Sequence, residues 1–308
     1  RALRSDPVRP QVDEFDAAVR RQRRREPLRA GVAELRDELL AAAAAVRRPR
    51  GLGRFRAIGG ALHHLVAQAR RGGRLGDGDR QRFDLFAPDG GLDTAKGVIG
   101  IVHGGYWMSL SKDDFSHLAA GPLACGWAVA MIGYTLAPQA RIADITAEIA
   151  AAANAVAKLG SGPLRLAGHS AGGHLVARMM CRDVPLSDQA AQRLDRVVSV
   201  SGLHDLRPLR RLAKNQTWGL DDAEAAAESP VMQMPREGIE LACIAGAGER
   251  PEFIRQNALL PLAWQGLGTS ACSRLLAGDH HFSVIDHLAD AGSSLCDAAC
   301  APSLAPES

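Results

Sequence analysis

Gly168-His169-Ser170-Ala171-Gly172 is the segment of this chain with the residue types and spacing for covalent chemistry. A serine with glycine two residues away on each side fits a sharp strand-to-helix turn. Such a turn projects the hydroxyl, and the glycines let helix and strand pack closely. The flanks agree: Leu164-Arg165-Leu166-Ala167 is a short, mainly apolar run, and Gly173 to Met180 reads as a helix. A helix opening at Ala171 turns backbone N–H groups toward the serine and favours negative charge there. The implied chemistry is attack on an electrophilic carbon through a covalent intermediate.

A second segment complements the first. Val98 to Val102 reads as a buried strand and runs into His103-Gly104-Gly105-Tyr106-Trp107. Glycines let a backbone aim its N–H groups at a developing oxyanion. A serine also needs an imidazole base, and the imidazole needs an acid to orient it. The loop after the apolar run Ile239 to Gly246 offers Glu249, with Asp205 and Glu252 as rivals. Glu252 follows Pro251 at a helix start, where a carboxylate commonly serves the helix dipole. The loop after Arg274-Leu275-Leu276 carries His280 and His281; His281 is the expected base and His280 a loop residue. The ring of His103 is expected to brace its turn, His169 fills the variable position of the pentapeptide, and His174 packs on the helix. His63, His64 and His117 read as structural or surface residues. No H-E-x-x-H and no Cys/His cluster with ligand spacing occurs, so no metal and no cofactor is expected.

The elements that must hold these residues read as alternating strands and helices from about residue 80 onward. That pattern predicts an α/β fold: a mostly parallel, doubly wound sheet with helices on both faces. Gln81 to Phe86 alternates polar and apolar, as an antiparallel or edge strand does. Residues 203–237 are irregular and proline-containing, and read as a small lid. Residues 1–76 form an Arg/Ala/Gly-rich arm, with a helix expected from Gly31 to Val46. Residues 77–292 form the catalytic domain, and 293–308 a flexible tail.

Composition narrows the partners. The net charge of +3 conceals an asymmetry: residues 1–80 hold 19 arginines against 10 acids, and the remainder 18 basic residues against 24 acids. The basic head lacks interleaved aromatics and any nucleic-acid-binding motif, so it reads as a solvated arm. Six scattered cysteines with no C-x-x-C argue for a reducing, cytoplasmic setting, and Cys296 and Cys300 take no role. The apolar run Leu39 to Val46 is too short to span a bilayer, and no signal peptide is visible. The expected partner is a small-molecule substrate, with no membrane and no specific nucleic acid; a homodimer is compatible with the sequence.

Taken together, His103-Gly104-Gly105-Tyr106-Trp107, Gly168 to Leu175, Glu249-Arg250-Pro251-Glu252-Phe253 and His281-Phe282 resemble the arylformamidase (kynurenine formamidase) branch of the α/β-hydrolases. The resemblance spans about residues 80–290. H-G-G-Y-W is its most specific element, because most related esterases carry a third glycine where Tyr106 stands. It implies the α/β-hydrolase fold, with Ser170 as nucleophile, Glu249 as orienting acid (usually Asp in such enzymes) and His281 as general base. It also implies an oxyanion hole from backbone N–H groups around Gly104, Gly105, Tyr106 and Ala171. Tyr106, Trp107, Trp218 and Phe282 are candidates for an aryl-binding wall, the competing reading being core packing. The implied reaction is hydrolysis of an N-formylkynurenine-like aryl formamide to formate and an arylamine. The alternative is a broad carboxylesterase acting on small acyl esters.

Overall fold

A computed structural model describes residues 72–304; the basic head and the helix expected at 31–46 lie outside the described residues. Seven strands form one sheet in the order β1-β3-β2-β4-β5-β6-β7. They are β1 Phe83–Phe86, β2 Val98–Val102, β3 Ala128–Ile132, β4 Leu164–His169, β5 Leu194–Val200, β6 Glu240–Gly246 and β7 Ser270–Leu276. β1 is antiparallel to β3, and every other pairing is parallel.

The helices are α1 Ala120–Ala124, α2 Ile142–Val156, α3 Ala171–Arg178, α4 Asp188–Arg193, α5 Asn215–Trp218, α6 Asp222–Ala227, α7 Pro251–Trp264 and α8 Ser294–Cys300. β2 and β3 are buried along their whole length, which is why they read as unbroken apolar runs. Ile99, Ile101, Val129, Met131, Val198, Val200 and Ile244 share one apolar cluster with Phe115, Leu118, Leu288 and Leu295. α2 and α3 pack against the strands as well, with Ile142, Ile145, Ile149 and Val156 of α2 buried at helical spacing. Among the described residues no helix is long and apolar enough to cross a membrane, and all six cysteines are free thiols.

Strand order fixes where a site can form. The chain leaves β2 toward β3 on one side and leaves β4 toward β5 on the other. Adjacent parallel strands whose connections depart in opposite directions open a crevice beyond their carboxyl ends. The ends of β2 and β4 carry His103-Gly104-Gly105 and Ser170 respectively.

Three boundaries differ from the sequence reading. The domain begins upstream of residue 77: Leu75 N–H donates to Gln81 O at 2.8 Å and Phe83 N–H to Gly73 O at 3.2 Å, so residues 73–75 pair back along the entry to β1. β7 runs seven residues rather than three, because its first half, Ser270-Ala271-Cys272-Ser273, is an edge segment without a strong apolar signal. The expected flexible tail contains α8, with Leu295, Cys296, Ala298 and Ala299 buried. Its C-terminal carbonyls are gripped by sheet arginines. Arg165 Nη1 donates to Ala299 O and Ala301 O at 2.9 and 2.7 Å, and Arg196 Nη1 to Ala298 O and Ala301 O at 3.1 and 2.7 Å. Cations at a helix C-terminus satisfy its orphan carbonyls and oppose its dipole.

Candidate active site

Ser170 stands between β4 and α3 with φ 55° and ψ −115°, a conformation that costs energy for a residue with a side chain. The surrounding backbone enforces it. Ser170 N–H donates to Val200 O at 2.8 Å, and Ser170 O accepts from His174 N–H at 3.1 Å. The two glycines of the pentapeptide are sterically required: a Cβ on Gly168 would lie 2.2 Å from Gly172 O, and one on Gly172 would lie 2.1 Å from Val102 O. β2, β4 and α3 therefore approach closely at the serine.

The turn after β2 lies against it. A Cβ on Gly104 would stand 3.4 Å from Ser170 Cβ. Gly105, Tyr106 and Trp107 take positive φ in succession, at 107°, 55° and 58°. Tyr106 and Trp107 are held there by their carbonyls: Tyr106 O accepts from Trp218 Nε1 at 2.9 Å, and Trp107 O from Ala137 N–H at 2.7 Å. His103 braces the turn, its ring stacked on Tyr134 at 4.2 Å with Nδ1–H donating to Gly104 O at 2.7 Å. Burial lowers the His103 pKa to about 4, so the ring is neutral.

Of the three carboxylates weighed, Glu249 is the one that reaches His281. Glu249 Oε2 accepts from His281 Nδ1–H at 2.8 Å, with the two residues 8% and 3% exposed. The other oxygen, Oε1, accepts from Ser201 Oγ–H at 2.5 Å and Gly246 N–H at 2.8 Å. Burial pushes the Glu249 carboxyl up, but His281, Ser201 and the Gly246 amide outweigh it and hold the carboxyl below its ordinary range. Asp205 is instead occupied by Arg207, at 2.8 and 3.0 Å. Glu252 pairs with Arg255 and accepts from Gln256 within α7. His280 stays in its loop, with Nδ1 accepting from Phe282 N–H and Ser283 N–H at 3.2 Å each.

His169 ties this pair to the serine segment. Its Nε2–H donates to His281 O at 2.7 Å, and the two rings lie 4.8 Å apart. Burial, reinforced by His281, lowers the His169 pKa to about 3. Phe253 from α7 packs on the His281 ring at 4.1 Å, and Phe282 meets it edge-on at 5.0 Å. Sequence reasoning assigned no role to Ser201 or Phe253. Phe253 stands in the quoted motif around Glu249, whereas nothing near Ser201 marks it.

The aromatic residues divide. Tyr106 stacks on Trp218 at 5.3 Å, and Trp107 meets Trp218 and His174 edge-on at 5.7 and 5.2 Å. All three are buried, while Phe282 is 41% exposed. Residues 203–237 are anchored through Glu228, whose carboxylate accepts from Thr146 at 2.6 Å and Arg178 at 3.2 Å and whose carbonyl accepts from His174 Nε2–H at 2.7 Å.

A family model described as the alpha/beta hydrolase fold matches residues 99–243. Kynurenine formamidase of Danio rerio is 26% identical over 222 residues, covering 70% of this chain and 75% of that protein. Kynurenine formamidase of Drosophila melanogaster is 27% identical over 231 residues, with the same coverage. A crystal structure from Silicibacter sp. TM1040, provisionally named a thioesterase, is 43% identical with a TM-score of 0.74, covering 80% of this chain and 92% of that one. The sheet, the serine turn at its switch point and these likenesses agree: the chain belongs to the α/β-hydrolase family and resembles its arylformamidase branch.

Proposed function

We propose that this hydrolase works through Ser170 and cleaves aryl formamides of the N-formylkynurenine type. The observation that carries the reading is the buried Glu249–His281 pair, tied through His169 to the serine turn. Glu249 fixes the His281 tautomer with the proton on Nδ1, which leaves Nε2 to take the Ser170 proton. Ser170 Oγ attacks the formyl carbon, and the oxyanion is received by N–H groups around Gly104, Gly105, Tyr106 and Ala171. Protonated His281 then gives its proton to the departing arylamine. Water, deprotonated by His281, hydrolyses the formyl-serine and releases formate. The aryl group stacks on the exposed Phe282 ring, with Tyr106, Trp107 and Trp218 packed behind the site as its buried wall.

The choice of formamide rests on H-G-G-Y-W and on the kynurenine formamidase relatives. The 43% identical relative named a thioesterase favours a second reading, a small acyl ester or thioester, with the same machinery. Steady-state hydrolysis of N-formylkynurenine, a short-chain aryl ester and a short acyl thioester separates the two. A kcat/KM highest on the formamide supports the first reading, and one highest on either ester overturns it. Ser170→Ala is expected to lose about 10⁶-fold in kcat on the best substrate, by analogy with other serine hydrolases. A variant retaining wild-type turnover would remove Ser170 from the mechanism.

A further inference from the structure

Cys125 is remote in sequence from Cys296 and Cys300 yet meets them at one point, with the three sulfurs all within 4.8 Å of one another. Cys296 Sγ lies 3.9 Å from Cys125 Sγ and 3.8 Å from Cys300 Sγ. We propose that these three thiols form a binding site for a thiophilic d¹⁰ cation, Zn²⁺ or Cu⁺, separate from the catalytic centre. Cys125 precedes β3, so the cluster lies toward the amino ends of the parallel strands, whereas Ser170 follows the carboxyl end of β4.

Two of the three sulfur separations already match a metal–thiolate site, and the third lies within 4.8 Å. A zinc–thiolate bond of about 2.3 Å in a tetrahedral site places sulfurs roughly 3.8 Å apart. Three thiolates complete a trigonal Cu⁺ site, or leave the fourth Zn²⁺ position to solvent beside the half-buried Cys125. The scaffold is rigid. Cys296 and Cys300 are one helical turn apart on α8, whose end is held by Arg165 and Arg196. Trp127, two residues after Cys125, donates from Nε1 to Cys300 O at 3.2 Å and carries the Arg165 guanidinium 4.4 Å over its ring. The same side chains that dock the helix therefore set the sulfur positions. Helix α1 comes close enough for this because residue 121 is glycine: a Cβ there would lie 3.0 Å from Cys296 Sγ.

Contact with Cys300 and burial push the Cys296 thiol up, and burial together with Cys296 pushes the Cys125 thiol up. On binding, each sulfur–metal bond forms as its thiol releases a proton to solvent, with no change of oxidation state.

The test uses the full chain, reduced and handled without oxygen. The Zn²⁺ arm is competition against a chromophoric chelator, with Co²⁺ as a spectroscopic stand-in; the Cu⁺ arm is competition against a copper(I) chelator. The expected result is uptake of one equivalent with thiolate charge-transfer absorption in at least one arm. Cys125→Ser should weaken that uptake about a hundredfold or more, and Cys272→Ser should leave it unchanged. Hydrolytic activity is expected to persist in Cys125→Ser, which reports that the variant folds. Wild type that competes no better than Cys125→Ser in both arms overturns the proposal.

Discussion

At the scale of single residues, the site turns on how Glu249 is held. Its longer side chain, where aspartate is usual in this family, is accommodated because Oε1 is tied back to Ser201 and the Gly246 amide while Oε2 serves His281. Glu249→Gln preserves shape but offers an amide where His281 needs an acceptor of full negative charge. The expected loss in kcat is about 10⁴-fold, as for the corresponding change in other triads. A fall of less than tenfold would show that Glu249 is not the orienting acid. Ser201→Ala removes one of three hydrogen bonds to the carboxylate and leaves the other two. A hydrogen bond to a charged group contributes about 1.5–3 kcal/mol, so kcat should fall at least about tenfold with KM nearly unchanged. Equal losses in kcat and kcat/KM would mark Ser201 as a positioning residue, and a rise in KM alone would contradict that role.

At the scale of elements, the site depends on three backbones meeting at Ser170. Gly172 is the contact between α3 and β2, and a methyl group there would meet Val102 O at 2.1 Å and His103 O at 2.7 Å. Gly172→Ala must push the helix off the strand and draw Ser170 away from the Gly104 turn. Overpacking of this kind costs about 1–3 kcal/mol. The expected result is a drop of a few degrees in the thermal midpoint together with a loss of kcat larger than stability explains, checked by calorimetry beside kinetics. An unchanged midpoint would mean that the backbone contact yields easily. The elements also show what was legible in the sequence. β2 to β6 announce themselves because burial on both faces demands apolar runs, and Glu249 could be placed because it follows β6; His281 could be placed from Leu275-Leu276, the short apolar end of the edge strand β7. Ser201 could not, because its link to Glu249 exists only once β5 and β6 are neighbours. α8 was hidden for the same kind of reason: its seven residues are mostly small, and the helix is stabilised by Arg165 and Arg196, more than 90 positions earlier in the chain. The meeting of Cys125 with Cys296 likewise spans 171 residues.

At the scale of the whole molecule, the fold buries a set of neutral histidines that links its stability to pH. His103 and His204 have pKa values lowered to about 4, and His169 and His174 to about 3, in each case chiefly by burial. Each has a partner suited to the neutral ring; His204, for example, donates from Nδ1 to Gln256 O at 2.8 Å and accepts at Nε2 from Ser199 Oγ–H at 2.9 Å. In the unfolded chain the same rings titrate near about 6.5. Above that value both states are neutral and the full stability is present. Below it the unfolded chain binds protons that the fold refuses, so stability falls with pH until the folded values near 3 to 4 are reached. The depressed Glu249 carboxyl acts in the same direction at lower pH, because its proton also binds the unfolded chain first. Each histidine can contribute up to about 1.4 kcal/mol per pH unit across this window. The denaturation midpoint is therefore expected to drop steadily from pH 7 to pH 5, well before carboxylates titrate. His204→Asn, which keeps a donor for Gln256 O but takes up no proton, should make that slope shallower. A wild-type midpoint that stays flat over this range would mean that these rings are not held neutral by burial.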